Sequence, residues 1–164
     1  MIPDSKRLYY RKFTEASRED YFRLSMNEEV MRYITGRAAT EVEASERFEK
    51  VLALGIPKTE AGMFEVHWKG KEGILGLAKW VYTQPHQVEI GYSLFPEFWG
   101  QGLGTEIAQT LVSYSKQFDH ITELIGIIDP ANTPSARILL GCGFKFWEEK
   151  EIYGLDGALY GRKL

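Results

Sequence analysis

The sequence predicts an α/β fold in which helices pack on a mixed, largely antiparallel sheet. Segments with a hydrophobic period of two and segments with a helical period follow in the order β, helices, βββ, α, β, α, ββ. The three strands of the middle section are joined by short polar links of hairpin length. The chain has 164 residues, of which 44% are hydrophobic, and this suits one domain spanning residues 1–164.

The first third of the chain predicts one strand and three helices. Apolar and charged residues alternate over residues 5–13, which favours an opening strand. A short helix over residues 18–25 precedes a second one whose apolar face is expected to include Ile34. The residues expected to cap or end the second and third helices are Asn27, Gly36, the capping box of Thr40 and Glu43, and Gly55 with Pro57.

In the other two thirds of the chain, the sequence predicts four strands, two helices and a C-terminal hairpin. Strands are expected over residues 63–68, 74–82, 87–94 and 124–128, helices over about 104–118 and 130–140, and a last hairpin from strands 144–153 and 158–163 around a turn at 154–157.

Composition excludes several classes of function. Lys and Arg number 20 against 23 Asp and Glu, so the chain lacks the basic surplus that nucleic-acid binding demands. The lone Cys142 cannot form an internal disulfide or a cysteine-based zinc site, and a reduced cytoplasmic location is expected. No apolar run approaches the roughly 18 residues of a membrane span, so no membrane association is expected.

The segment over residues 89–106 carries the strongest functional pattern, because a strand, a glycine loop and a helix follow one another. Glycines at 100, 102 and 104 let the backbone expose several N–H groups, and the helix adds the positive end of its dipole. This combination favours a pyrophosphate site that needs no metal. The loop lacks the lysine of a P-loop, and the dinucleotide fingerprint requires glycine where Thr105 stands. A simple strand-to-helix turn is the plain alternative.

Motifs along nearly the whole chain point to one family. They are Arg7-Leu8, Glu89-Ile90-Gly91-Tyr92, Trp99-Gly100-Gln101-Gly102-Leu103-Gly104, Asn132-x-x-Ser135 and Gly143-Phe144. With these motifs the chain resembles the GNAT superfamily of acetyl-CoA-dependent N-acetyltransferases, and within it the branch similar to the ribosomal-protein N-terminal alanine acetyltransferases. The family has Arg or Gln where Trp99 stands, and phosphate binding is expected to survive this difference because backbone amides supply it.

The resemblance implies the GNAT fold and a site for acetyl-CoA. The main chain at Ser93 and Leu94 would pair with the pantetheine arm, as an added strand does at a sheet edge. Asn132 would line the thiol end, although it is also a suitable helix N-cap ahead of Pro134. The amides expected to bind the pyrophosphate are those of Gln101, Gly102, Leu103, Gly104 and Thr105.

Acetyl transfer to an amine requires a base and a proton for the leaving thiolate. Glu89, between apolar Val88 and Ile90, is the candidate base, and a surface salt bridge is an equally weighted alternative. Many members of the superfamily carry a tyrosine as the acid where residues 138–140 of this chain are Ile-Leu-Leu. Ser135 matches a serine of the alanine-acetylating branch, and the resemblance implies that it protonates the thiolate, directly or through a water. A polar residue in the first turn of a helix is the plain alternative. Cys142 is expected to be a structural thiol. His67, His86 and His120 lack metal-ligand spacing, so no metal is expected.

The sequence therefore predicts an N-acetyltransferase that moves an acetyl group from acetyl-CoA to a primary amine by direct attack in a ternary complex. The acceptor is a protein N-terminus or a small-molecule amine. Glu28 and Glu29 either attract its positive charge or simply form a solvated helix face, as exposed acidic residues usually do. A non-catalytic acyl-CoA-binding module and a Rossmann-like NAD enzyme are the alternatives. The protein is expected to be a monomer or a homodimer.

Overall fold

The computed structural model describes residues 1–54, 60–152 and 154–164. Its helices are α1 (Arg18–Ser25), α2 (Glu28–Met31), α3 (Glu41–Ala53), α4 (Leu103–Ser115) and α5 (Thr133–Gly141). Its strands are β1 (Leu8–Lys12), β2 (Gly62–Trp68), β3 (Ile74–Gln84), β4 (Gln87–Leu94), β5 (Glu123–Ile128), β6 (Lys145–Ile152) and β7 (Leu155–Lys163).

The strands form a seven-stranded sheet in the order β1-β2-β3-β4-β5-β7-β6. The pairs β1–β2, β2–β3, β3–β4, β5–β7 and β6–β7 are antiparallel, and β4–β5 is parallel. This confirms the predicted mixed and largely antiparallel sheet. The parallel ladder is short, because only Gln87–Glu89 are in register with Glu123–Ile125.

One face of the sheet is covered by α4. Its apolar residues lie on one side of the helix, and this pattern predicts that the helix buries that side against the sheet. Ile107, Ala108 and Leu111 are completely buried in the main core. Burying such side chains contributes roughly 1.5–3 kcal/mol for each of the larger ones. Trp80, also completely buried, donates from its indole Nε1 to Ser115 Oγ at 2.8 Å, so α4 is joined to β3 by a polar contact as well.

The opposite face of the sheet is covered by α1 and α3. Successive residues of a strand point to opposite faces, so Leu77 of β3 points away from the face on which Trp80 meets α4. Tyr21 and Phe48 pack there in a cluster that receives Leu77 of β3. Thr40 and Glu43 form the predicted capping box, with Glu43 N–H donating to Thr40 Oγ1 at 3.3 Å and Thr40 N–H donating to Glu43 Oε2 at 2.8 Å. The predicted helix end at Gly55 and Pro57 lies outside the described residues.

The second helix is shorter than predicted, and the expectation for Ile34 is wrong. Helix α2 ends at Met31, and the N–H groups of Ile34, Thr35 and Gly36 all converge on the Met31 carbonyl oxygen at 3.0–3.2 Å. Gly36 has φ 77°, a left-handed conformation that unwinds a helix end. Ile34 therefore lies in a turn and is 49% exposed instead of buried in the core.

Other boundaries differ by a few residues. Helix α4 ends at Ser115, and β7 begins at Leu155, where a turn over 154–157 was predicted. Ile152 pairs with Leu155, so the last hairpin closes more tightly than the two glycines of this segment suggest. Tyr153 lies outside the described residues. No helix within the described ranges combines the length and apolar character needed to cross a membrane.

Candidate active site

The short parallel ladder opens a cavity between β4 and β5. Beyond Glu89 the two strands are no longer in register, and a cavity of about 80 Å³ lies between them. Its walls are Ile90, Gly91 and Tyr92 of β4, Gly126, Ile127 and Ile128 of β5, Asn132, Ser135 and Leu139 at α5, and Tyr33 with Ile34. Asn132 and Ser135 lie far from β4 in the sequence, and the fold brings them beside it in the wall of this cavity.

A larger cavity of about 560 Å³ adjoins the first. The two share Tyr33, Ile34, Ile127 and Ile128 as lining residues. The larger one is also lined by four carboxylate and two ammonium side chains, which are Glu89, Asp129, Glu151, Asp156, Lys79 and Lys150. We call the two spaces the small cavity and the large cavity.

Glu89 lines the large cavity and is paired with a lysine of the neighbouring strand. Its Oε1 lies 2.6 Å from Lys79 Nζ, and its side chain is 17% exposed. Lys79 is directly opposite Gly91, so the pair is a diagonal contact across β3 and β4. Glu89 is therefore both ion-paired and part of a cavity wall. The structure does not bring Glu89 and Ser135 into the same cavity, since Ser135 lines only the small one.

The acidic side chains that line the large cavity are not those singled out from the sequence. Glu28 and Glu29 line neither cavity, and Glu28 Oε2 instead accepts a hydrogen bond from Ala38 N–H at 2.9 Å. Asp129, which follows β5, and Glu151 of the last hairpin line the large cavity.

The glycine loop leaves a row of backbone N–H groups free. Gly100 and Gly102 have φ 71° and 74°, values that favour glycine. Gly102 is the N-cap of α4, and the first hydrogen bond of the helix runs from Glu106 N–H to the Gly102 carbonyl. Within the described part of the chain, no acceptor faces the N–H groups of residues 101–105. These amides and the helix dipole suit a pyrophosphate.

Arg7 of the N-terminal segment supports this loop. Its Nε lies 2.6 Å from Glu106 Oε2, its N–H donates to Glu106 Oε1 at 2.7 Å, and its Nη1 donates to the Gln101 carbonyl at 3.0 Å. Burial raises the pKa of Glu106, but hydrogen bonds from Ser5 and Arg7 outweigh it and hold the pKa below its ordinary value of 4.5. A negative charge in the first turn of α4 is thereby neutralised beside the anion site.

The family assignment rests on a match to the acetyltransferase (GNAT) domain over residues 7–145. The chain belongs to the GNAT acetyltransferase family. It is 28% identical over 154 residues to the uncharacterized N-acetyltransferase YoaA of Bacillus subtilis, covering 88% of this chain and 82% of the relative. The predicted acetyl-CoA-dependent N-acetyltransferase class is confirmed.

Solved structures confirm the GNAT fold of this acetyltransferase. A GNAT acetyltransferase from Bacillus anthracis superposes with a TM-score of 0.83 at 25% identity, covering 99% of this chain and 98% of the other. RimL, a ribosomal alpha-N-protein acetyltransferase in complex with coenzyme A, superposes with a TM-score of 0.81 at 18% identity, covering 99% and 97%.

Ser93 and Leu94, the residues expected beside the pantetheine arm, differ in the hydrogen bonds that they already make. The Leu94 carbonyl accepts a hydrogen bond from Trp99 Nε1 at 2.8 Å, so the residue that replaces the family's Arg or Gln holds the end of β4. The Ser93 hydroxyl is buried and has no partner within the described residues. Of the two, Ser93 is the one with an unpaired polar side-chain atom.

Asn132 has the cap role that its sequence context predicts. Its Oδ1 accepts a hydrogen bond from Ser135 N–H at 3.2 Å, which satisfies one of the first amides of α5. Its side-chain nitrogen has no acceptor in the described part of the chain and lies on a residue that lines the small cavity. The cap fixes Asn132 and Ser135 relative to each other, so one short motif places two polar side chains in this wall.

Cys142 is a buried thiol outside both cavities. Burial raises its pKa above the ordinary value of 9.0, and the nearby Arg162 guanidinium opposes this only in part. The thiol is therefore protonated at neutral pH and a poor nucleophile. Within the described residues, no group of three or more His, Cys, Asp or Glu side chains is placed to hold a metal ion.

Four residues of this region were not assigned a role from the sequence. Lys79 contacts Glu89 only through the register of β3 and β4, and Arg7 lies 99 positions from its partner Glu106. Tyr92 and Asp129 stand in the walls of the small and large cavities, respectively. Arg7 and Tyr92 belong to the family motifs quoted above, and a period-two count along β4 places Tyr92 on the same face as Ile90.

Proposed function

We propose that this acetyltransferase transfers the acetyl group of acetyl-CoA directly to a primary amine, on a protein N-terminus or on a small molecule, within a ternary complex. The parting of β4 and β5 beyond Glu89 carries the proposal, because it creates two adjoining cavities. The thioester would occupy the small cavity and the amine would enter through the large one.

The residues present fit acetyl-CoA. Five consecutive loop amides without acceptors and the N-terminus of α4 suit the pyrophosphate. The main chain at Ser93 would pair with the pantetheine arm as an added strand does, and the side-chain nitrogen of Asn132, on the wall of the small cavity, would meet the arm or the thioester end. Acetyl-CoA is the co-substrate and supplies the activated acetyl group.

The large cavity favours a positively charged acceptor. Four carboxylates against two ammonium groups leave it with a surplus of negative charge, which raises the local concentration of a cation. An ammonium group cannot attack a thioester, so it must lose a proton inside the site. Glu89, on the wall of this cavity, is the base we assign to that step, directly or through a water.

The reaction consumes one acetyl-CoA and one amine. Glu89 takes the first proton from the ammonium group and passes it to solvent, which leaves a neutral amine. The amine nitrogen then forms a bond to the thioester carbonyl carbon, the carbon–sulfur bond breaks, and Glu89 accepts the second proton that the nitrogen loses as the amide forms. The thiolate takes a proton from the Ser135 hydroxyl, and the Ser135 oxygen recovers a proton from solvent. Holding the two reactants together contributes on the order of 7 kcal/mol in favourable cases, so the enzyme needs no covalent intermediate.

Release of the free thiol from acetyl-CoA, measured across a panel of peptides and small amines, tests this proposal. Glu89→Gln should lower kcat roughly 100-fold or more with the best amine, as loss of a general base does. Glu65→Gln is the matched control, because Glu65 is also buried and paired, to His67 Nε2 at 2.7 Å, but lines neither cavity.

Two results would contradict the proposal. Unchanged turnover in Glu89→Gln would remove Glu89 as the base. Tight binding of CoA without thiol release from any amine would instead favour the non-catalytic binding module.

A further inference from the structure

Tyr92 has a buried hydroxyl without a hydrogen-bond partner among the described residues. Leaving such a group unpaired is costly, so a structure retains it where a partner is gained in another state. Burial raises the pKa of Tyr92, and the Ser135 side chain opposes this rise. The phenol therefore remains protonated near neutral pH and can act as a hydrogen-bond donor.

The ring of Tyr92 is held in place from two sides. An ideal Cβ on Gly104 would lie 3.0 Å from Tyr92 Cε2 and 3.0 Å from Ile138 Cδ1, so the start of α4 and the side of α5 both press close to this site. A ring confined in this way keeps its hydroxyl at a fixed position. A side chain at position 104 would therefore require the Tyr92 ring to shift by a few tenths of an ångström.

Ser135 stands in the wall of the small cavity together with Tyr92. It is half-buried, and its hydroxyl has no partner in the described part of the chain. Its backbone is fixed by the cap from Asn132 at 3.2 Å. The wall of one cavity therefore contains two hydroxyl-bearing side chains, neither of which has a hydrogen-bond partner among the described residues for its hydroxyl.

Resting on the proposed function, we infer that Tyr92 is a positioning residue for acetyl transfer, whose hydroxyl donates a hydrogen bond to Ser135 Oγ. Because an oxygen that accepts from Tyr92 must direct its own O–H elsewhere, the Ser135 proton is turned toward the small cavity, where the thiolate departs. Leu139, 3% exposed, fills the neighbouring wall with an apolar group. Ser135 of α5 is therefore the proton donor to the thiolate, and Tyr92 of β4 orients its hydroxyl.

Tyr92→Phe tests this inference, because it removes the hydroxyl and keeps the ring against Gly104. We expect kcat to fall about three- to tenfold, the effect of one neutral hydrogen bond, with an unchanged KM for acetyl-CoA. In a Ser135→Ala background the same substitution should have no further effect. Tyr10→Phe is the control, since its hydroxyl is also buried and unpartnered but Tyr10 lines neither cavity.

Thermal unfolding of the same variants, with and without CoA, gives a second measurement that needs no turnover. In the CoA-bound protein, Tyr92→Phe should lower Tm in the wild-type background and should not lower it in the Ser135→Ala background, where the Tyr92 hydroxyl has lost its proposed acceptor. Equal kcat in wild type and Tyr92→Phe, or equal losses in both backgrounds, would overturn the inference while the proposed function stands. If the wild type binds CoA but releases no thiol with any amine, the proposed function itself fails, and the positioning role fails with it.

Discussion

Gly104→Ala perturbs the point at which the start of α4 meets the small cavity. The added methyl group would lie 3.0 Å from Ile138 Cδ1 and from Tyr92 Cε2, whereas ordinary contacts begin near 3.4 Å. Ile138 Cδ1 is the end of a flexible side chain and can move. The Tyr92 ring is packed against the main core and must shift by a few tenths of an ångström.

Two opposing terms set the size of the effect. Overpacking a buried site costs typically about 1–3 kcal/mol, and alanine in place of glycine gains up to roughly 1 kcal/mol of helix propensity. The difference is a net loss of about 1 kcal/mol, which corresponds to a fall in Tm of about 2–4 °C for a chain of this size. Because the ring of Tyr92 moves, kcat should fall several-fold as well.

Thermal unfolding and the thiol-release assay measure both effects. The matched control is Gly141→Ala at the end of α5, where an added Cβ meets nothing within 4 Å. That variant should equal or exceed the wild-type Tm, since only the helix-propensity term remains. A Tm for Gly104→Ala at or above the wild-type value would refute the close packing between Gly104 and Tyr92.

Three further predictions concern stability and Cys142. Glu106→Gln should lower Tm at neutral pH, and the difference from wild type should shrink in a pH series as pH falls below about 4.5, because the depressed pKa of Glu106 stabilises the fold only while it is ionised. Ser115→Ala should cost about 1–3 kcal/mol in denaturant unfolding, since the Trp80 indole N–H loses its partner. Cys142→Ala should keep wild-type kcat, and iodoacetamide should label Cys142 only after unfolding; loss of transfer in that variant would contradict direct attack.

Local patterns predicted the parts of this molecule that depend on near neighbours in sequence. Strand β4 was predicted with its observed limits at 87 and 94, because alternation is clear and polar turns flank it. The capping box at Thr40 and the N-cap at Asn132 were also correct, since each satisfies amides only three residues away.

Features that depend on tertiary placement were missed. The Lys79–Glu89 pair requires the register of two strands, and Arg7 meets Glu106 only after β1 and α4 pack together. The packing of the Tyr92 ring near Gly104 and its place in a cavity wall beside α5 depend on tertiary contacts, which no spacing along β4 encodes. Ile34 was placed on the apolar face of the second helix by its spacing, whereas the helix ends earlier, where three amides converge on the Met31 carbonyl.

Amide hydrogen exchange of the glycine loop, with and without CoA, tests the central claim most directly. If the backbone binds the pyrophosphate, exchange at residues 101–105 should slow markedly on addition of CoA, because their N–H groups have no other acceptor in the described residues. Exchange in the middle of α3, on the opposite face of the sheet, should not change. Saturating CoA that leaves residues 101–105 unprotected would contradict the assignment of this loop as the cofactor site.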